Sequence, residues 1–455
     1  IVTVTGGGLL AAADQRIITG DGSGGLTIDL AAAPDAIALR VARTMAVQPA
    51  RSLVDEAALL LLTAPMTETH NLARAAIARL TAAQASNGGW GWWPTLPAQP
   101  VVTAVVLEAY AAARRAGLNV PDRSRSQGFA WSIAAVDDPQ LALDVRVQLA
   151  YALSLHGQMP IERLQALAAE ADILGPEGAA TLLLALPPSA AQNRADVLAR
   201  LNALAIRDTN GVHWAARADT LGGATAITGL ALLALQQANI EPQLRTAALA
   251  NIAATRGPDG WGSPYATARA IIALRAIWLG TALPPRIAIE LNGERLVEQS
   301  SGLMTATLRL DLPSTRLRST NLLTTTIIGG VGGSALLSYR LSGVVTTPVS
   351  LDGTLLLRDE LEGGIVRLTL LVRQPIPFAL LDVPLPPGAD VQVRPNSGPM
   401  VLVAHTPERL LFATDRLAPG LYEFRYQLQG NEQQVFRVPQ PQLRQMSGEH
   451  ALEER

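Results

Sequence analysis

The 455 residues contain no cysteine. That absence excludes disulfides, thiolate metal sites and any mechanism running through a thiol nucleophile or a thioester. It leaves the compartment open, because an extracytoplasmic chain can do without disulfides. Lysine is missing too, so all 36 basic residues are arginines, scattered along the chain. The net charge is −2 and no block of one sign occurs, so neither nucleic acid nor an anionic membrane surface is indicated as a partner. Aromatic residues make up 4% of the chain. Helical cores must then be built from Ala, Leu, Val and Ile, and alanine at contact positions lets helices approach closely. Long apolar runs are scarce. The longest uncharged helical window, residues 221–240, is nominally long enough to span a bilayer. It carries Gly222, Gly223, Thr225, Thr228, Gln236, Gln237 and Asn239, so a buried helix is the better account and no membrane span is expected.

Hydrophobic residues amount to 49%, as in a globular protein, and the length suggests about two to four domains. Ile1-Val2-Thr3-Val4-Thr5 is strand-like and no signal peptide opens the chain, so a piece of a longer product is expected. Three tryptophan turns organise the middle: Asn87-Gly88-Gly89-Trp90-Gly91-Trp92-Trp93-Pro94, Asp208-Thr209-Asn210-Gly211-Val212-His213-Trp214 and Gly257-Pro258-Asp259-Gly260-Trp261-Gly262. Each lies between two Ala/Leu-rich stretches. Glycine lets the chain reverse, and an indole can seal the gap between neighbouring helices. Turns recurring between helix pairs suggest a helical-hairpin repeat.

Residues 1–33 alternate as strands, with Gly-rich breaks at Gly6-Gly7-Gly8 and 20–25, and need partners elsewhere. From Pro34 the pattern predicts helices at 34–47, 53–64, 68–85, 100–117, 123–135, 138–156, 160–172, 176–186, 190–207, 222–239, 241–255 and 264–281. That makes six hairpins of roughly 41 residues, enough to close into an (α/α)6 toroid without an uncapped apolar end. After Leu283-Pro284-Pro285 the period becomes two. Ile287, Ile289 and Leu291 alternate, and Asn292-Gly293 marks a hairpin. Strands follow at 305–312, 321–328, 334–341, 353–358, 364–374, 378–383, 399–404, 408–413, 420–428 and 433–438, as in two β-sandwiches. The expected division is 1–33 and 283–345 as one interrupted β domain, 34–282 as the toroid inserted in it, 346–445 as a second sandwich and 446–455 as a polar tail.

Little here announces chemistry. His70, His156, His213, His405 and His450 make no helical metal pair, and no metal or cofactor is expected. Gly329-Gly330-Val331-Gly332-Gly333 sits between strands and reads as a hairpin loop. Asp55, Glu56, Glu108, Asp137, Asp138, Asp144 and Asp219 are acidic positions in the helical part. A toroid can house a carboxylate pair for glycoside cleavage, which keeps a toroidal enzyme open as an alternative. Asp137-Asp138 before Pro139 reads instead as a helix start.

Arg79-Leu80-Thr81-Ala82-Ala83-Gln84 leading to Gly88-Gly89-Trp90 resembles the Gln-Trp repeats of squalene–hopene-type terpenoid cyclases. The Asp-x-Asp-Asp acid of those enzymes is missing, as is the cysteine ligand of the related prenyltransferases. A second resemblance runs through nearly the whole chain. Gly88 to Pro94 followed by Val102-Thr103-Ala104, Asp219-Thr220 with Leu230 to Leu235, Leu291-Asn292-Gly293, Ser338-Tyr339-Arg340-Leu341, Leu385-Pro386-Pro387-Gly388 and Pro419-Gly420-Leu421-Tyr422-Glu423-Phe424 stand in the order seen in the C-terminal portion of bacterial alpha-2-macroglobulins. The resemblance implies a thioester-type toroid inserted in a CUB-like domain, then a macroglobulin-like domain. It also implies a non-enzymatic, extracytoplasmic endopeptidase inhibitor, with room for a lipid anchor upstream. In that family Pro-x-Gly-Cys-x-Glu-Gln follows the first toroid helix. Here Pro49-Ala50-Arg51-Ser52-Leu53-Val54-Asp55 takes its place, with Ser52 for the cysteine and Asp55 for the glutamine. Ser52, Val54 and Asp55 thus mark a degenerate, inactive thioester position, and Ser52 with Asp55 also reads as a helix cap. Gly89, Trp90, Trp92, Trp93, Gly260 and Trp261 are expected to be structural turn residues. A structural envelope scaffold is a further alternative.

Overall fold

A computed structural model describes residues 3–10, 13–19, 25–31, 33–48, 50–217, 219–278, 286–300, 307–328, 335–342, 355–361, 365–385, 390–394, 398–429, 441–446 and 451–453. The expected strand at 433–438, the glycine loop at 329–333, His450 and the expected boundaries near 283 and 345 lie outside these residues. Three strands come first: β1 (Thr3–Leu10), β2 (Ala13–Thr19) and β3 (Gly25–Ala31). Twelve α-helices are described: α1 (Pro34–Ala46), α2 (Leu53–Thr63), α3 (His70–Ala82), α4 (Pro100–Arg115), α5 (Asp122–Val136), α6 (Leu143–Ser154), α7 (Ile161–Ala168), α8 (Pro176–Ala185), α9 (Ala191–Ala203), α10 (Gly223–Ala238), α11 (Pro242–Ala254) and α12 (Pro264–Trp278). A small hairpin, β4 (Ala205–Asp208) and β5 (Gly211–Trp214), interrupts them. Then come β6 (Arg286–Leu291), β7 (Glu294–Ser300), β8 (Leu308–Leu312), β9 (Thr320–Ile328), β10 (Ala335–Ser342), β11 (Leu355–Leu361), β12 (Ile365–Val372), β13 (Ile376–Pro384), β14 (Asp390–Val393), β15 (Val401–Thr406), β16 (Arg409–Leu417), β17 (Gly420–Gln429), β18 (Gln442–Gln445) and β19 (Ala451–Glu453).

Proline opens α1, α4, α8 and α11, where its missing N–H costs nothing. Around the ring α2 packs on α4, α4 on α6, α6 on α8, α8 on α10 and α10 on α12, and α12 returns to α2. The even-numbered helices therefore close an inner ring, with α1, α3, α5, α9 and α11 against its outside. Composition follows position. Every residue of α2 except Asp55 is buried, because neighbours cover it on all sides. Outer helix α3 buries only Ala73, Ala76, Ile77 and Leu80, a single stripe. The window at 221–240 contains inner helix α10, whose residues from Ala226 to Leu235 are all buried. No described helix is long and apolar enough to cross a membrane.

The sheets tie together the segments on either side of the helices. One runs β1-β10-β3-β8 and its partner β2-β9-β6-β7, so strands from before and after the helices alternate in the first and share the second. Ile28, Leu30, Ile287, Ile289 and Leu337 lie in the core between them. The helices are thus inserted in this first sandwich. A second sandwich has sheets β11-β12-β17-β14 and β15-β16-β13-β18-β19 around Leu368, Leu381, Phe412 and Phe424. In β12 alternate residues are buried, the period-two pattern of a one-sided strand.

Several elements differ from the sequence reading. Gly6 to Gly8 do not break the chain: they lie within β1 and pair with Tyr339, Ser338 and Leu337. Asp137-Asp138-Pro139 does not start a helix. Asp138 Oδ1 accepts the Gln140 N–H in a turn, and α6 begins at Leu143. The stretch expected to extend a helix to 207 becomes β4, too short to show alternation. Ala451–Glu453, read as part of a polar tail, pairs with β18.

Candidate functional site at the mouth of the helical ring

The starts of α4, α6, α8 and α10 line one cavity, so these inner-helix N-termini gather at one end of the ring. Their exposed N–H groups and aligned dipoles favour negative charge there. The second sandwich sits against this mouth. Leu411 and Ala413 of β16 join the core of the ring, and Phe378, Leu380 and Val403 pack against it.

Ser52 is the N-cap of α2. Its Oγ accepts the Asp55 N–H at 3.1 Å and donates to Asp55 Oδ2 at 2.9 Å. The Leu53 N–H donates to the Trp92 carbonyl at 2.8 Å, which ties this helix start to the first tryptophan turn. Burial raises the Asp55 carboxyl, and its bond to Ser52 opposes that. Val54 is buried in the ring. Beside this cap lies a cavity of about 560 Å³, lined by Arg51, Glu56, Arg79, Trp93, Pro94 and Val403 among others. Glu56 Oε1 takes hydrogen bonds from Arg51 Nε at 2.9 Å and Arg79 Nε at 2.7 Å. Replacing Ser52 with alanine is expected to cost about 1 kcal/mol, the usual worth of such a cap. Chemical denaturation of the variant measures this, and an unchanged midpoint would show that the hydroxyl contributes nothing.

A second cavity, of about 190 Å³, is lined by Asp144 of α6, Glu177 of α8, Arg217, Asp219, Gln148 and Phe378 among others. Asp144 Oδ1 accepts the N–H of Gly175, the N-cap of α8, at 3.0 Å. Burial raises Asp144, opposed by that bond. Burial also pushes Glu177 up to about 8, the charge of Asp144 adds to it, and Arg269 pulls it down. Asp219 faces Arg217 at 3.4 Å. Of the acidic positions singled out in the sequence, Asp144 and Asp219 thus share a cavity. Asp137 lies apart in a pair with Arg163, and Asp138 in its turn. Glu108 is buried within the ring, where Arg269 of α12 grips both its oxygens; Arg269 Nη2 reaches Oε2 at 2.5 Å. Arg269 Nε also donates to the Tyr265 hydroxyl at 2.8 Å.

The sandwich side is carried by β13 and β16. Their ladder pairs Pro377 with Arg416 and Ala379 with Thr414, and leaves Phe378 and Asp415 between them unpaired. Phe378 has φ of 52°, a left-handed backbone that a bulky residue rarely adopts. Its ring lies 4.9 Å from that of Trp92. Asp415 Oδ2 accepts from Gln99 Nε2, just before α4, at 2.8 Å. Trp93 donates its indole N–H to the Met446 sulfur at 3.4 Å.

Three tryptophans close the turns in one repeated way. The indole N–H of Trp90, Trp214 and Trp261 reaches back to Leu80, Leu201 and Ile252 at the ends of α3, α9 and α11, at 2.7, 2.8 and 2.7 Å. Their backbone N–H groups meet the hydroxyls of Thr103, Thr228 and Thr267 in the following inner helices. A Cβ on Gly89 would meet the Ala98 Cβ at 2.7 Å, and Gly260 has φ of 109°, so both turns require glycine.

No protein-family profile and no curated protein matches the sequence. Solved structures do. Native alpha-2-macroglobulin of Escherichia coli, from domain MG7 to the C-terminus, superposes over 100% of this chain and 80% of its own, with a TM-score of 0.72 at 15% identity. The chain has the fold of a bacterial alpha-2-macroglobulin C-terminal region. It covers 33% of native alpha-2-macroglobulin from Escherichia coli, with a TM-score of 0.69 at 16% identity. Against Salmonella alpha-2-macroglobulin reacted with methylamine it again covers 33% of that chain, with a TM-score of 0.70 at 16% identity. The chain therefore spans about one third of the longer structures it matches.

At this mouth, sequence reasoning missed Glu177, Phe378, Asp415 and Gln99. Glu177 carried a weak signal, an acid in the first turn after Pro176, which looks like any dipole partner.

Proposed function

We propose that the chain is the C-terminal part of a macroglobulin-like endopeptidase inhibitor that encloses proteases by changing conformation, without thioester coupling. The observation that carries the inhibitor reading is the ring inserted in one sandwich and seated against a second, matched over the whole chain. The thioester-free part rests on Ser52. It caps α2 at the position the resemblance gives to cysteine, in a chain that has none. Asp55 holds the place of the glutamine that would supply the acyl group. We assign inhibition to a longer product that carries the bait, and place that product outside the cytoplasm: in the periplasm, on the cell surface or secreted.

The test uses that full-length product with a broad-specificity protease. Cleavage is expected to compact or expand it hydrodynamically and to shield the protease from large substrates while small ones are still cut. No adduct should survive denaturing electrophoresis. Unimpaired attack on large substrates would overturn the inhibitor reading, and a denaturation-resistant adduct would overturn the thioester-free mechanism.

A further inference from the structure

We propose that the cavity beside the Ser52 cap is a binding site for a small amphipathic carboxylate, an apolar body that carries one anionic group. Its volume, about 560 Å³, is that of sites which take small organic molecules. Leu53, Trp93, Pro94 and Val403 give it apolar walls. Its charged groups, among the described lining residues, are Arg51, Arg79 and Glu56, two cations against one anion.

How those charges are spent selects the ligand. Glu56 is buried, and its Oε1 takes Arg51 Nη2 at 2.8 Å as well as the Nε groups of both arginines. Arg51 is fully committed, since its Nη1 donates to the carbonyls of Met45 and Gln48. Arg79 is not. Glu56 holds its Nε, but neither Nη has a hydrogen-bond partner among the described residues. Its side chain is 45% exposed, so a ligand can reach it from solvent. The guanidinium is thus steadied through one nitrogen while its other two can grip a carboxylate in two parallel bonds. An amine would meet the excess of positive charge, and a bare inorganic anion would leave the apolar walls unused. An apolar carboxylate uses both. The walls belong to both bodies at the seat: Val403 stands on β15 of the second sandwich, at a break in its register with β16, and the others belong to the ring. Trp93 is held in place by its bond to the Met446 sulfur. None of this depends on protease trapping.

The test titrates the full chain with cinnamate and follows binding by saturation-transfer NMR. Cinnamate is expected to bind, and cinnamamide to bind more weakly by roughly tenfold or more, the worth of a hydrogen bond to a charged group. Acetate at the same concentration should not displace cinnamate, because it has no apolar body to bury. Arg79→Gln should bring cinnamate down to the level of the amide. Val403→Trp leaves the arginine in place and should abolish binding by filling the cavity from the sandwich side. Circular dichroism checks that both variants are folded; if Arg79→Gln is not, the amide and Val403→Trp decide. Absence of binding, equal binding of acid and amide, or undiminished binding in either folded variant overturns the inference. So does displacement by acetate, which would leave only a surface arginine.

Discussion

Asp29→Ala is expected to lower the unfolding free energy by about 3–5 kcal/mol, the cost of stranding a buried charge. Asp29 lies on β3 with no exposed surface, and so does its partner Arg256, just beyond α11. Arg256 Nη2 bonds Asp29 Oδ1, and its Nη1 donates to the Leu336 carbonyl of β10 at 2.8 Å. The second oxygen of Asp29 takes Arg40 Nη1 of α1 at 2.7 Å. One carboxylate thus joins two helical segments to the central strand of the first sandwich. Burial lowers the Arg256 guanidinium to about 9, against the pull of Asp259, so it is still charged at neutral pH. Without Asp29 that buried charge keeps only the Leu336 carbonyl and the pull of Asp259. Denaturant titration followed by hydrogen exchange at β3 and β10 reads both the size and the place of the loss. The double variant Asp29→Leu with Arg256→Met should recover most of it, because apolar groups of similar volume need no partner. A single-variant loss under about 1 kcal/mol would mean that water reaches Arg256, as at a surface pair. The neighbouring pairs of Asp259 with Arg309 and Arg340, at 2.9 and 3.0 Å, are half open to solvent, and their removal should matter less.

This junction marks where the sequence stops being legible. The helices could be read because their signals are local: Pro34, Pro100, Pro176 and Pro242 at helix starts, and an apolar stripe along α3. Ser52 as a cap was equally local, three residues from its partner. The insertion of the ring into a sandwich could be inferred only because the strands of 1–33 had no partners nearby. What could not be read is long-range. Arg269 finds Glu108 from 161 residues away, and nothing in either helix marks them as a pair. Phe378 was read into a plain strand, since a left-handed residue between Pro377 and Ala379 leaves no periodic trace. Asp138 was misread because an acid beside proline serves a turn as well as a helix start. Asp144 is again a long-range case: it accepts from the start of a helix 31 residues further along, which nothing near it in sequence announces.

Trp90→Ala is expected to cost about 3–5 kcal/mol, although it touches no charge. Trp90 is fully buried, stands edge-on to Tyr110 at 5.8 Å and fills the step between α3 and α4. Removing the indole leaves a void that outer helix α3 and inner helix α4, each fixed by its other neighbours, cannot collapse around, and it takes the donor from the Leu80 carbonyl. Trp90→Phe separates the two effects: it keeps most of the volume and should lose only about 1–3 kcal/mol, the share of the unmet carbonyl. The decisive comparison is with Trp214 and Trp261. If the three turns are copies of one device, alanine at each should cost a similar amount, and the double variant of Trp90 with Trp214 should come close to the sum, since no shared partner couples them. Trp93→Ala should cost less, because Trp93 lines an open cavity and donates only to a sulfur at 3.4 Å. Equal losses at Trp90 and Trp93 would mean that bulk alone matters at these turns. The repeat of indole to outer-helix carbonyl and backbone to inner-helix threonine would then be a coincidence of packing.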